Sequence, residues 1–450
     1  MGTLGEVGSR KGQRKHNCLL VGTQSLELVG VLLYCTLSVA AQFSPDSTSQ
    51  SVNHDIIGQD ISCDQVCEYD DWFQRAHCDE RNLYTIPSSD GCEDTIILEL
   101  QGNHLTNILV NSLLGYNHLK TLDLSNNDIT VMCPGVFSST KYLTNILINN
   151  NDLNELLNGT FTGTENHLIR IYLQRNNIVN IHEHVFQGLK ALKSIHLSYN
   201  QIQSLPPSVF HGLTRLQYIM LGYNELEHLD ATTFKDLVEL EVLSLRNNKL
   251  KQLPHGLFHG LSSLREVVLS HNELVTLPSP QNLGINSINR FYIDNNNLSQ
   301  SESILPYLQV TSERLEISNN PLTCDCGFIS IQEWYNNRSV ENSIEYSVTC
   351  NLRDTKYHLD VSLPIPCDHP TTNIVLSPEV KEDPATNNFI SSTEDGLPTN
   401  DYMSENFKLN QSCGQGTVDI ITLTASVYSA VCITICIVLW ICYKLKGRVT

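Results

Sequence analysis

The sequence predicts an α/β-type repeat protein, a horseshoe-shaped solenoid whose concave side is a parallel β-sheet. Three observations lead to this prediction. One asparagine recurs at a period of 24 residues, leucines precede it at fixed positions, and cysteines cluster at both ends of the repeated region. A unit of this length cannot bury its own apolar face, so its copies must stack into one continuous core.

Each repeat is centred on an asparagine that follows the pattern LxxLxLxx, as in Leu119, Leu122 and Leu124 before Asn127. Eight of the nine intervals between these asparagines are 24 residues and one is 25. We call the series the asparagine ladder: Asn103, Asn127, Asn151, Asn176, Asn200, Asn224, Asn248, Asn272, Asn296 and Asn320. Ten successive matches identify leucine-rich repeats, which we place at residues 95–320.

Side chains alternate along a strand, so the two leucines of LxL point inward and the residue between them points outward. The asparagine then hydrogen-bonds backbone groups where the chain turns into the core. A phenylalanine falls ten residues after six ladder asparagines and should fill the convex side, at Phe137, Phe161, Phe186, Phe210, Phe234 and Phe258. Asn282 takes that position after Asn272, which predicts an irregular convex side in repeats nine and ten.

Cysteines flank the repeats where a solenoid would otherwise expose its apolar ends. The N-terminal group is Cys63, Cys67, Cys78 and Cys92, and the C-terminal group is Cys324, Cys326, Cys350 and Cys367. In a secreted chain such thiols oxidise more often than they bind zinc, which is the alternative for both groups. We predict disulfide-bonded caps at residues 63–94 and 321–367.

The string NPLTCDCGFISIQEW, followed by two more cysteines, resembles the C-terminal cysteine cap of animal extracellular leucine-rich-repeat proteins. The resemblance implies disulfides from Cys324 to Cys350 and from Cys326 to Cys367. The N-terminal group departs from the family's usual spacing, so its pairing stays open. Residues 63–367 are similar to the ectodomains of Toll-like receptors, variable lymphocyte receptors and neuronal or platelet repeat receptors, which implies ligand recognition outside the cell.

The two ends of the chain predict a membrane protein. A basic cluster followed by a short apolar run indicates a signal peptide at residues 1–41, either cleaved or kept as an anchor. Residues 420–443 form an uncharged apolar stretch of 24 residues, which is long enough for one transmembrane helix in the lipid bilayer. Positive charge in the tail, 444–450, predicts a single-pass type I protein of the plasma membrane. A lipid-anchor signal is the alternative.

Residues 368–416 are rich in Ser, Thr, Pro and acidic residues and predict a disordered stalk. Two cysteines lie outside the caps. Cys133 falls on the predicted convex side, and Cys413 either links two chains in a disulfide-bonded dimer or is a free thiol. N-x-S/T sequons predict glycosylation at Asn158, Asn297, Asn337 and Asn410.

The sequence predicts neither an enzyme nor a metal or cofactor site. Motifs for nucleophilic, zinc-dependent or phosphate chemistry do not occur in a credible context. His255 and His259 are four residues apart, but they fall in a turn region, which favours surface histidines over a metal site. With 28 basic and 48 acidic residues the formal charge is −20, which disfavours nucleic-acid binding because that interaction depends on positive charge.

The outward positions of the strands predict the ligand-binding surface. Acidic residues mark both ends of the series, at Glu99 and Glu316, whereas the middle is aromatic, apolar and basic. Aromatic residues and arginine dominate the energetics of protein interfaces. We predict a protein-binding patch on the concave face that is formed by Tyr172, Arg175, His196, Tyr199, Tyr218, Met220, Tyr223 and Arg246.

These features together predict a single-pass cell-surface receptor or adhesion protein that binds an extracellular protein ligand, with a role in immune recognition. Because the predicted tail is short, its signal would pass through a co-receptor. The alternatives are a non-signalling adhesion or matrix-organising protein and a glycan-binding module.

Overall fold

The computed structural model describes residues 61–336, 348–352 and 355–358, all of which belong to one compact unit. Within this described part, no helix has the length and apolar character needed to cross a membrane. Four predicted segments lie outside it: the signal peptide at 1–41, the stalk at 368–416, the transmembrane helix at 420–443 and the tail at 444–450.

The described residues form mostly very short strands. In chain order these are β1 (Glu68–Asp70), β2 (Arg75–His77), β3 (Ile97–Glu99), β4 (Asn107–Ile108), β5 (Thr121–Asp123), β6 (Val131–Met132), β7 (Asn145–Leu147), β8 (Glu155–Leu156), β9 (Arg170–Tyr172), β10 (Asn180–Ile181), β11 (Ser194–His196), β12 (Tyr218–Met220), β13 (Val242–Ser244), β14 (Glu266–Val268), β15 (Ile288–Tyr292), β16 (Thr311–Glu316), β17 (Leu322–Thr323), β18 (Thr349–Leu352) and β19 (Thr355–His358). The helices are α1 (Cys63–Val66), α2 (Pro280–Leu283), α3 (Leu305–Val310) and α4 (Cys326–Asn336), with a 3₁₀ turn at Ser301–Ser303.

Twelve strands form one sheet, in the order β1, β2, β3, β5, β7, β9, β11, β12, β13, β14, β15, β16. Only the first pair, β1 with β2, is antiparallel, and all later neighbours are parallel. Two small parallel pairs, β4 with β6 and β8 with β10, lie outside this sheet. The predicted repeat solenoid with a parallel sheet is confirmed.

Most three-residue strands of the repeats bury their central residue and turn their flanking residues outward. In β5, for example, Leu122 is buried between the half-buried Thr121 and Asp123. Stacking joins these leucines, isoleucines and valines into a single core that runs through the repeats and into both cysteine caps.

Every ladder asparagine is buried and hydrogen-bonds backbone groups of its own and the preceding repeat. The Oδ1 atom of Asn200 accepts a hydrogen bond from the Ile178 N–H at 3.0 Å. Its Nδ2 atom donates to the carbonyls of Leu173 and Leu197, both at 3.0 Å. At the start of the ladder, Asn103 accepts hydrogen bonds from the Leu83 and Arg81 N–H groups and so joins the first repeat to the N-terminal cap.

The phenylalanines form a second buried column. Successive ring centroids of Phe137, Phe161, Phe186 and Phe210 are 5.9, 5.7 and 5.9 Å apart. Where the column ends, helix α2 replaces the turn, and Leu283 rather than the exposed Asn282 is buried. The following 3₁₀ turn and α3 give repeats nine and ten the irregular structure that the loss of phenylalanine indicates.

Disulfides lie at both ends of the repeats. Cys63 is bonded to Cys92, and Cys67 to Cys78, with Cα–Cα distances of 5.9 and 4.4 Å. At the other end Cys324 is bonded to Cys350, the pair that the resemblance implies, at a Cα–Cα distance of 5.0 Å.

The remaining described cysteines are also oxidised. Cys326 and Cys133 are each disulfide-bonded, and Cys133 is fully buried. Cys367 and Cys413 lie outside the described residues, so the Cys326–Cys367 disulfide and the role of Cys413 remain predictions.

Replacing Asn200 by alanine should destabilise the protein by about 2 kcal/mol, because the buried Ile178 N–H loses its acceptor. The Leu173 and Leu197 carbonyls each keep a hydrogen bond from a neighbouring ladder asparagine, so their contribution is smaller. Urea denaturation of the oxidised protein, followed by circular dichroism, measures the loss. The matched control is Asn177→Ala, at a half-buried position whose amide hydrogen-bonds only the exposed side chains of Asp152 and Gln201. Equal losses for the two variants would contradict the role of the ladder.

Candidate binding surface on the sheet

The parallel register places distant residues side by side on the outward face of the sheet. Tyr172 of β9 lies opposite His196 of β11, which in turn lies opposite Met220 of β12. The ring centroids of Tyr172 and His196 are 5.0 Å apart, and all three side chains are half-buried. These three residues of the predicted patch therefore form one continuous row.

A second row follows the strands, at the position immediately before each ladder asparagine. The Tyr199 and Tyr223 rings stack with centroids 4.2 Å apart and an interplanar angle of 8°. The guanidinium carbon of Arg175 lies 4.7 Å from the centroid of the Tyr199 ring, which is within the range of a cation–π interaction. The patch thus combines the row Tyr172–His196–Met220 with this parallel stack.

The residues of the second row have left-handed backbone conformation, with φ of 57° at Arg175 and Tyr199 and 56° at Tyr223. Asparagine tolerates this conformation better than bulky side chains do. It occupies the equivalent position in five other repeats, at Asn126, Asn150, Asn247, Asn295 and Asn319. Backbone preference therefore does not explain the two tyrosines and the arginine, and departures of this kind concentrate at functional sites.

Tyr218 and Arg246 complete the predicted patch at its C-terminal side. The Tyr218 hydroxyl donates to the Glu241 carboxylate in the next repeat, which fixes the orientation of its ring. Arg246 is half-buried, and a Cβ atom added to Gly222 would lie 3.3 Å from its carbonyl oxygen. The glycine thus lets the two repeats approach closely beside the tyrosine stack.

His196 lies in an apolar environment at the middle of the first row. Burial lowers the pKa of its imidazole from 6.5 to about 4, because desolvation disfavours the charged form. Within the described residues, its Nε2 atom and the Oγ atom of the fully buried Ser194 lack hydrogen-bond partners. The imidazole is therefore neutral at pH 7.

The centre of the face is basic although the chain is strongly acidic. The three segments 169–175, 193–199 and 217–223 contain Arg170, Arg175 and Lys193 but no Asp or Glu. We call the outward side of these three segments the central face. Its charge is opposite in sign to the net charge of −20, which favours an acidic partner.

The flanks of the sheet differ from this centre. Glu99 and Asp123 lie on the outward side of β3 and β5, so the N-terminal flank presents carboxylates, of which Glu99 faces Arg75 at 3.5 Å. On the C-terminal flank, basic residues pair with acids, as Arg290 does with Glu266 at 3.1 Å. The C-terminal flank also has an aromatic residue beside arginine, Tyr292 with Arg314 at 5.8 Å, but acidic residues lie among them, unlike in the three central segments.

Other residues from the sequence analysis lie away from this surface. His255 and His259 are both exposed, as surface histidines are. Of the sequons, Asn158 and Asn297 are exposed, whereas Asn337 and Asn410 lie outside the described residues.

One clustered polar group was not expected from the sequence. His77, Asp79 and Glu99 have ligand-type atoms within 4.8 Å of one another. Arg75 already faces Glu99 at 3.5 Å, and His77 Nδ1 lies 2.6 Å from it. Because the Glu99 carboxylate already contacts both Arg75 and His77, the group is a polar cluster at the start of the sheet.

Sequence reasoning also missed an exposed aromatic hairpin. Trp72 and Phe73, in the turn between β1 and β2, are 87% and 64% exposed. Two adjacent aromatic residues after Asp70 and Asp71, between Cys67 and Cys78, were the available signal. The surface of the described residues therefore contains an aromatic hairpin in addition to the central face.

The fold and this surface define a disulfide-capped repeat solenoid with an aromatic face on its parallel sheet. The family model described as leucine rich repeat matches residues 97–153, 141–202, 190–250 and 238–298. These residues are therefore leucine-rich repeats. A search of curated proteins gave no match to the sequence.

Solved structures share this fold. The structure of the Toll–Spatzle complex of Drosophila, in its glycosylated form, matches with a TM-score of 0.51 and 22% identity over 62% of this chain. The matched region spans only 37% of the length of the matching chain in that structure. The octameric complex of Latrophilin 3, Unc5D and FLRT2 matches with a TM-score of 0.48 and 21% identity, over 64% of this chain and 91% of that chain. At 22% identity the likeness to the Toll structure describes the fold alone.

The stability of the protein should fall as the pH decreases from about 6.5 to 4. The unfolded imidazole binds a proton near pH 6.5, whereas the folded His196 does so only near pH 4, so acid favours the unfolded chain. This stabilisation is complete above pH 6.5, and its loss is at most about 3 kcal/mol. Urea denaturation at pH 7 and pH 4, compared between the wild type and His196→Gln, isolates the effect. Between pH 7 and pH 4 the free energy of unfolding should fall less for the His196→Gln variant than for the wild type. An identical pH dependence of stability in both proteins would refute the role of His196.

Proposed function

We propose that the chain is a cell-surface recognition protein, a receptor or adhesion molecule, which binds a protein ligand through the central face. The observation that carries the proposal is the continuous surface formed by the Tyr172–His196–Met220 row and the Arg175–Tyr199–Tyr223 stack. Stacked aromatic rings are held in place before binding, so little conformational entropy is lost when a ligand contacts them.

The repeated architecture supports a protein ligand. The three parallel strands of the central face, β9, β11 and β12, present their outward residues on one sheet, which favours a broad contact over a small enclosed pocket. Toll, which shares this fold, is found in a complex with Spatzle. That complex is a precedent for protein recognition by such a solenoid.

The proposal includes a location and a topology. Disulfides at both ends of the repeats fit an oxidising compartment, and the apolar stretch at 420–443 supports a single-pass type I arrangement in the plasma membrane. N-glycans at the exposed Asn158 and Asn297 belong to the same proposal. The proposal also includes a role in immune recognition and a co-receptor that transmits the signal.

A glycan-binding module is the second candidate, because tyrosine rings also stack on sugars. The Tyr199 and Tyr223 rings, however, face each other at 4.2 Å, so each ring already covers one face of its neighbour. This arrangement favours the edges and hydroxyl groups as contact points and therefore a protein surface over a stacked sugar ring.

Replacing Tyr199 and Tyr223 together by alanine should weaken ligand binding at least tenfold, since aromatic residues near the centre of an interface contribute most of its energy. The test uses full-length chain and a panel of purified secreted and cell-surface protein domains of known sequence, each measured separately. Domains that bind the wild type are then titrated against the variant.

The control variant carries Tyr84→Ala and Tyr142→Ala, which removes two exposed tyrosines away from the strands of the central face. It should bind like the wild type. If the Tyr199/Tyr223 variant keeps full affinity for every bound domain, or if the wild type binds none of the panel, the proposed function is wrong.

A further inference from the structure

The hairpin formed by β1 and β2 is a rigid finger at the end of the sheet. The Cys67–Cys78 disulfide closes its base, since these cysteines directly flank the two strands. At its tip, the Asp70 Oδ1 atom accepts hydrogen bonds from the Trp72 and Phe73 N–H groups at 2.9 and 3.1 Å. Covalent closure and this turn together fix the backbone from which both aromatic side chains project.

The tip exposes two adjacent large aromatic side chains to solvent. Trp72 is the most exposed of the large hydrophobic residues in the described part of the chain, at 87%, and Phe73 beside it is 64% exposed. Large aromatic side chains that project in this way mark contact sites. Because the finger is already ordered, docking it costs little conformational entropy.

The charge around the tip is negative. At the tip itself Asp71 is exposed and Asp70 is half-buried, whereas Glu68, at the base of the finger, faces Arg81 at 4.0 Å. The basic residue of the finger, Arg75, already faces Glu99 at 3.5 Å. A partner for the tip should therefore combine an apolar or aromatic centre with positive charge around it.

The central face has this combination. Arg170 and Arg175 lie before and after Tyr172 in the chain, Lys193 directly precedes β11, and no acidic residue occurs in the three segments. The neighbouring Glu241 accepts a hydrogen bond from the Tyr218 hydroxyl. The finger and the central face are thus complementary in charge and both present aromatic surface.

The two surfaces of one molecule cannot meet each other. Both belong to the same sheet, where β2 and β11 are separated by five strand-to-strand steps. At about 4.8 Å per step this amounts to about 24 Å. Contact between finger and central face therefore requires two molecules.

We propose that the finger of one molecule docks on the central face of a second copy of this chain, so that the chain recognises itself. This inference rests on the proposed function, because it uses the same binding face. It adds the identity of a ligand, an acidic hairpin with Trp72 and Phe73 at its tip, and makes homophilic adhesion the form of recognition.

The experiment uses fluorescent beads coated with purified full-length chain through a C-terminal tag. One variant, Trp72→Ser with Phe73→Ser, lacks the finger's aromatic tip but keeps the central face. The other, Arg175→Glu with Lys193→Glu, keeps the finger but reverses the charge of the central face. The controls are Leu114→Ser, which removes a 66% exposed apolar side chain, and Arg215→Glu with Lys235→Glu at exposed positions.

Wild-type beads and both control beads should aggregate, whereas each test variant alone should form at least tenfold fewer aggregates. When red beads with one test variant are mixed with green beads with the other, two-colour aggregates should reappear. In the mixture, intact fingers on one set of beads meet intact central faces on the other. This recovery also shows that both variants are folded.

The inference is overturned if wild-type beads stay dispersed, if either variant alone aggregates like the wild type, or if the mixture stays dispersed. None of these results bears on binding of other proteins. If the beads fail this test but the Tyr199/Tyr223 variant loses affinity for a panel domain, the chain binds a protein ligand through the central face but does not recognise itself.

Discussion

The structure depends on hydrogen bonding at the point where the chain leaves each strand and turns into the core. Buried N–H and C=O groups there would cost free energy if they lacked partners. The ladder asparagine supplies both a donor and an acceptor, and Asn224 repeats the arrangement seen at Asn200, with bonds to Ile202, Leu197 and Leu221. Because these bonds reach the preceding repeat, one residue type fixes both the turn and the stacking of neighbouring repeats.

A fixed stacking register has a direct consequence for function. Residues 24 or 25 apart in the chain become neighbours across the sheet, as Tyr172, His196 and Met220 do. The outward positions carry little of the folding energy, since the core lies on the other side of each strand. They can therefore hold residues that the backbone disfavours, such as Tyr199 and Tyr223 in left-handed conformation, where stability alone would select asparagine.

Periodic features could be predicted from the sequence, because every repeat places the same type of residue in the same structural environment. This holds for the asparagine ladder, the parallel sheet and the residues that the register brings into the patch. Features that occur once could not be predicted in the same way. The pairing of Cys63 with Cys92 depends on how an unrepeated cap folds, and the burial of Leu283 beside the exposed Asn282 depends on a single short helix. The hydrogen bond from Tyr218 to Glu241 needs side-chain geometry that no spacing encodes.

A chain with a net charge of −20 would be expected to repel its own copies, so self-recognition needs a physical reason. Screening provides it, because charges in solution interact weakly beyond about 10 Å at 0.1 M salt. Two molecules held only through a projecting finger keep most of their acidic surfaces farther apart than this. In the proposed contact the acidic groups of the tip, Asp70 and Asp71, face Arg175 and Lys193 at short range, and exclusion of water by Trp72 strengthens the attraction. The positive charge of the central face therefore affects this contact more than the negative net charge of the whole molecule does. Because the finger projects, it can contact the central face while the other acidic surfaces stay apart.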